Sequence, residues 1–217
     1  MILSLHNLRA GLHWWSKGNF AKDLLNDEYY RIYEVRSEGA TDQWWTATVA
    51  RLGQWRAYRG PRPPNRKSEI SRLGGSCLSA IADQYAKLVA RSAAEPNIAD
   101  LSWEDAVPLF ELAMGIKRSP VFAGKMCHFL LPKLFVVMDN LATTVLDYEF
   151  YWRGMKEEWA RFEPKKEAGI VLAEAISAAG TNRPLHPLYP FETKIMELSH
   201  IGYNHPVTTL TSQSKSA

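Results

Sequence analysis

The chain has 217 residues, of which 46% are hydrophobic and 12% aromatic, and a formal net charge of +3. That length and apolar content exclude a disordered chain and suit one core, or one core with a small subdomain. The balance of 26 basic against 23 acidic residues is too mild to name a partner by itself. Cys77 and Cys127 lie far apart and suggest neither a disulfide framework nor a metal knuckle. The opening MILSLHNLRAGLHWW is broken by His6, Asn7 and Arg9 and lacks the charged-then-apolar order of a signal peptide. No run reaches the ~20 apolar residues that a membrane helix needs. These observations predict a soluble, cytoplasmic chain with no membrane partner.

Taken in chain order, the apolar spacing is helical. Trp45, Val49, Leu52 and Trp55 form the first clear stripe, with Asp42 before it as N-cap. Gly60-Pro-Arg-Pro-Pro64 then stops any helix and makes a stiff basic connector. Ser76–Arg91 reads as a helix opened after Gly74-Gly75, with Leu78, Ile81, Tyr85 and Leu88 or Val89 on one face. Ala93–Leu101 is a loop. Ser102-Trp-Glu-Asp105 has the capping-box pattern, with Asp replacing the usual Glu. Trp103, Val107, Phe110 and Met114 follow on one face. Lys117-Arg-Ser-Pro120 is a turn, and Val121–Leu131 a helix ended by Pro132. Leu134–Met138 is too short to separate strand from helix end, and its helical surroundings favour an extended connector. Tyr148–Phe162 and Pro164–Ala179 read as helices, then Gly180–Pro190 as a Pro-rich loop. Phe191, Ile195, Leu198 and Ile201 mark a last helix, and the tail from Asn204 is expected to be disordered.

The reading is therefore all-α: one domain over residues 1–203 with about eight to ten helices, a subdivision near 60–66 remaining open. Trp45, Val49, Leu52, Trp103, Phe110, Phe129 and Phe135 are the expected core, and most of the eight tryptophans are expected to be buried anchors.

Two features carry chemistry. The first is a basic stretch, Arg51, Arg56, Arg59, Arg62, Arg66, Lys67 and Arg72, with Glu69 as its only acid and with Trp55 and Tyr58 interleaved. Cations among aromatic rings suit phosphate contact together with base or ribose stacking. A solvated helix face and linker explain any one of these residues equally well. The second feature is Asp139, placed directly after Val136, Val137 and Met138. A carboxylate in an apolar wall is costly to leave unpaired, so it serves either as a cap or in chemistry. Asp139-Asn140 before Leu141-Ala-Thr-Thr-Val145 is also a good N-cap. Lys125 and His128, three residues apart on the preceding apolar helix, are candidates to share a site with Asp139. A lone His on an apolar helix is more often a satisfied core residue.

The run Val121-Phe-Ala-Gly-Lys-Met, followed by Lys133-Leu-Phe-Val-Val-Met-Asp139-Asn-Leu-Ala-Thr-Thr-Val145-Leu146, resembles part of the helix-hairpin-helix DNA glycosylase superfamily. Ala123-Gly124 and Phe135-Val-Val-Met-Asp139 stand at matching separations. The resemblance implies a helix-hairpin-helix glycosylase-like fold, a DNA partner, and Asp139 as the catalytic acid that supports base departure and the positive charge developing on the sugar. The family's Gly-rich hairpin is represented by Gly115-Ile-Lys-Arg-Ser119, which keeps only the first Gly, so Lys117 and Arg118 would replace backbone contacts to phosphate. The nucleophilic Lys of lyase-type members would fall near Val121, one turn from Lys125. The four-Cys cluster of some members is absent.

The resemblance covers about a sixth of the chain. A non-catalytic helical module that binds nucleic acid or protein is the competing expectation. A nuclease using Asp139 with Glu192 and Lys194 ranks last, because Glu-x-Lys there sits in a helix-periodic segment. His186, His200 and His205 lack metal-ligand spacing, and no phosphate loop, nucleophile elbow or dinucleotide fingerprint occurs. No sequence feature calls for a cofactor or sets an oligomeric state.

Overall fold

Helix signals dominate the sequence, and helices dominate the structure. A computed structural model describes residues 1–17, 25–58, 66–139, 146–180 and 183–206. Among them are nine helices and no strand: α1 (Leu5–Lys17), α2 (Asn26–Arg36), α3 (Asp42–Gln54), α4 (Arg66–Ala90), α5 (Trp103–Ile116), α6 (Pro120–Leu130), α7 (Tyr148–Arg161), α8 (Lys165–Ala178) and α9 (Phe191–Asn204). The Gly60–Pro64 connector, the helix expected from Leu141 and residues 207–217 of the expected tail fall outside the described residues, while Asn204, the first residue of that tail, closes α9.

Local chemistry sets the helix starts. Thr41, not Asp42, caps α3, its hydroxyl accepting from the Trp44 amide. Asp42 is the first helical residue, where its charge favours the positive end of the helix. Ser102 and Asp105 form the reciprocal capping box that the sequence predicts for α5. Ser119 caps α6 with Pro120 just inside it, and Asp147 caps α7. Residues 134–138 leave a turn and run on with neither helix nor strand, a connector.

α4 begins ten residues earlier than the sequence suggests and runs straight through Gly74-Gly75. Gly74 is not a breaker here. A Cβ at that position would lie 1.8 Å from the Trp45 ring, so the glycine lets α4 close onto α3. Further along, Leu88 rather than Val89 faces inward.

One contiguous hydrophobic core takes residues from Leu3 to Leu198, so the described helices form a single globular unit. All seven expected core residues named above are buried. α6 lies at the centre, against α2, α3 and α5. Every residue from Phe122 to Leu130 is buried, which is the pattern of a helix enclosed on all sides. α1 and α9 meet backbone to backbone. A Cβ on Gly11 would sit 1.9 Å from the Leu198 carbonyl oxygen, and one on Gly202 would sit 1.9 Å from that of Asn7. No helix among the described residues is long and apolar enough to cross a membrane.

Candidate functional site

The site is assembled around a buried cation. Lys125 sits midway along α6 and is 4% exposed. Its ammonium donates to Asp139 Oδ2 at 2.6 Å and to the Trp55 carbonyl at 2.8 Å. Both acceptors follow from local structure. α3 ends with Arg56 in the left-handed region at φ +53°. The Arg56 amide donates to Gly53 O and the Ala57 amide to Leu52 O, the bond pattern of a Schellman C-terminus. That arrangement leaves the Trp55 carbonyl at the negative end of the α3 dipole, where Lys125 caps it. A buried ammonium is thus satisfied by a helix C-terminus and a carboxylate together.

Asp139 is held from the other side by α7. The extended segment before it has no neighbouring strand, and its buried carbonyls need donors. Four side chains supply them. Trp152 Nε1 donates to Leu134 O at 2.9 Å, His128 Nδ1 to Phe135 O at 2.7 Å, Tyr148 Oη to Val136 O at 2.7 Å and Tyr151 Oη to Val137 O at 3.3 Å. Burial pushes the phenols of Tyr148 and Tyr151 up, so both remain protonated donors. Residues 148, 151 and 152 share one helix face, and that face fixes the backbone that presents Asp139. The carboxylate stands at the edge of this apolar wall with its side chain 32% exposed, against 5% for Lys125.

His128 is fully buried. Because Nδ1 donates to a carbonyl, Nε2 must accept, and it takes the Tyr29 hydroxyl at 2.9 Å. Burial drives its pKa down to about 3, so the ring is neutral with a fixed tautomer. It positions the 135 backbone from within the core.

The basic residues separate into different settings. Arg51 is turned inward and ion-pairs with Glu28 on α2. Arg56 is exposed, one residue beyond the carbonyl that Lys125 caps. Lys67, Arg72 and Arg118 are exposed, and Lys117 is half-buried in the short turn between α5 and α6. Arg59 and Arg62 lie outside the described residues, as do the amides of 141–143 that a capping Asp139 would bind; Arg66 opens α4. Lys194 is 1% exposed on α9, 2.6 Å from Glu197, and lies over the Trp15 ring. No group of three or more His, Cys, Asp or Glu side chains among the described residues is placed to hold a metal ion.

Sequence reasoning singled out Asp139 and Lys125 but missed Trp55 O, Tyr148, Tyr151 and Trp152. The last three form an aromatic i, i+3, i+4 set on the helix predicted over Tyr148–Phe162, a signal that could have found them. No protein-family model, curated protein or solved structure matches the chain.

Proposed function

We propose that the protein binds DNA and releases a base with Asp139 as the stabilising carboxylate, in the manner of helix-hairpin-helix glycosylases. The observation that supports this reading is the Lys125–Asp139 pair. A carboxylate oriented by a buried cation, backed by apolar residues and a third exposed, is a preorganised electrostatic group. Such a group stabilises positive charge developing on a sugar without waiting for solvent to reorganise. The short α5–α6 connection and the exposed cations Arg56, Lys67 and Arg118 offer phosphate contacts.

A second reading is favoured by the same lysine. Lys125 already offsets the charge of Asp139 and caps α3, which is what a structural pair in a non-catalytic binding module would do.

Asp139→Asn separates the two. Asn keeps the shape and an acceptor for Lys125 but not the charge. Under the catalytic reading the variant folds and binds duplex DNA, yet loses base release by ~100-fold or more. The assay is base release from duplexes carrying mismatched, oxidised, deaminated and alkylated bases. Wild-type protein inactive on every duplex would remove the enzymatic reading and leave the binding module. Activity that survives in the variant would show that Asp139 is not the acid.

A further inference from the structure

α2 turns Tyr30, Tyr33, Glu34 and Ser37 toward a cleft of about 490 Å³, closed by Tyr85 on α4 and by His186 and Leu188. Its size falls in the ~300–1,000 Å³ range of small-molecule sites. The charged group set deepest in the lining is Arg36, which is 9% exposed. Arg36 Nη1 donates to Glu95 Oε1 at 2.6 Å and to the Leu130 carbonyl at 3.0 Å. Its Nε and Nη2 bond to no other group among the described residues. That edge of the guanidinium is a pair of parallel N–H donors, the shape that grips two adjacent acceptors at once.

A second donor belongs to the same wall. His186 Nδ1 accepts from the Leu188 amide at 3.0 Å, so the ring hydrogen lies on Nε2. Burial lowers the pKa of this histidine and keeps it neutral. The imidazole stacks on Tyr33 at 4.5 Å and 7° and meets Tyr30 edge-on at 4.6 Å. The walls are therefore aromatic, and the Arg36 guanidinium lies over the Tyr33 ring at 4.3 Å with its Nε/Nη2 edge not hydrogen-bonded among the described residues.

Charge selects the ligand. Arg36 is matched by Glu95, whose Oε2 is 3.6 Å from Lys133, and Glu34 adds a further carboxylate to the lining. Arg183 lies over the Tyr30 ring at 5.0 Å and 4.0 Å from Asp27, so three cations stand against three carboxylates and the cleft offers no net positive charge to an anionic ligand. A neutral ring with two neighbouring acceptors takes the fork without adding charge.

We propose that this cleft binds a neutral 6-oxopurine, with the Arg36 Nε/Nη2 edge on the O6 and N7 acceptors and the ring packed against the tyrosine and histidine walls. An arginine fork on O6 and N7 distinguishes guanine from adenine, which presents a donor at N6 in place of the O6 acceptor. The inference stands on this cleft alone and does not depend on Asp139.

The test is calorimetric titration of the full chain with guanosine, adenosine and benzoate. Guanosine is expected to bind, with adenosine about tenfold weaker or worse and benzoate no tighter than adenosine. Arg36→Lys keeps a cation beside Glu95 but loses the fork, and should weaken guanosine by about tenfold. Tyr30→Ala alters a half-buried wall residue and should weaken guanosine severalfold. It decides the matter if Arg36→Lys fails to fold. Asp139→Asn protein should bind guanosine as wild type does, which keeps this result separate from the fate of the base-release reading. No binding at millimolar guanosine, equal affinity for adenosine, tighter binding of benzoate, or guanosine affinity unchanged in Tyr30→Ala would each overturn the proposal.

Discussion

Deleting the two partners of the buried ion pair should have unequal consequences. The Lys125 side chain is 5% exposed and that of Asp139 is 32% exposed. Asp139→Ala therefore strands an ammonium in the core with only the Trp55 carbonyl as partner, and breaking a buried pair from one side costs about 3–5 kcal/mol. Lys125→Met is milder. The Asp139 side chain is 32% exposed and its carboxylate is in reach of water, so the lost pair is worth about 1 kcal/mol. The lost cap on Trp55 O costs about 1 kcal/mol more, partly offset by burying a thioether. In the double variant no charge is stranded, so its stability should match that of Lys125→Met alone. The resulting coupling energy should therefore equal the Asp139→Ala loss, about 3–5 kcal/mol in favour of the pair. Urea denaturation followed by far-ultraviolet circular dichroism, with m-values compared, measures all four proteins. If Asp139→Ala lies within ~0.5 kcal/mol of wild type, or the double variant shows the sum of the single losses, then the ammonium is not confined as described.

Three other outcomes follow from particular residues. Arg56 occupies the left-handed C-terminal position of α3, so Arg56→Gly should raise stability by about 1 kcal/mol in the same assay; an unchanged or lower value would show that this backbone carries no strain. His128 is neutral when folded, with its pKa lowered from 6.5 to about 3; the unfolded chain takes a proton that the folded chain refuses, so stability is complete above pH 6.5 and falls by about 1.4 kcal/mol per unit as pH drops below it. His128→Gln should remove that slope, and an identical pH profile in the variant would refute it. For the proposed DNA contact, replacing exposed Lys67, Arg72 and Arg118 by alanine should reduce the salt slope of duplex binding by roughly 0.9 per lost phosphate contact; a folded triple variant with an unaltered slope would place the DNA elsewhere.

The parts of the fold that were legible are those where one face of a helix carries the apolar residues. Trp45, Val49 and Leu52 announced α3, and Ser102 with Asp105 announced the start of α5. α2 went unread because its buried face includes Asn26, Glu28 and Arg36, which mask the apolar period. The start of α4 was misplaced because a paired glycine is a turn signal in isolation, and only the Trp45 ring explains Gly74. At the site, Asp139 stood out because an acid after three apolar residues is conspicuous. Lys125 and His128 were picked out beside it, but Tyr148, Tyr151 and Trp152 were not, because they act on backbone carbonyls, and neither was Trp55 O, which belongs to a helix end. Carbonyl acceptors leave no residue-type signature in sequence.

The close approach of α1 to α9 bears on how the chain matures during synthesis. The surface of α1 that carries Gly11 packs on a helix that begins at Phe191. At ribosomal rates of ~5–20 residues per second, the roughly 190 residues between them take about 10–40 s to emerge. For that interval Gly11, buried in the finished fold against Leu198, lacks that partner. Completion of the core thus waits on the last helix. Truncation before α9 should leave a nascent chain that is open to chaperones and proteases even though the residues around Lys125 and Asp139 have already been made.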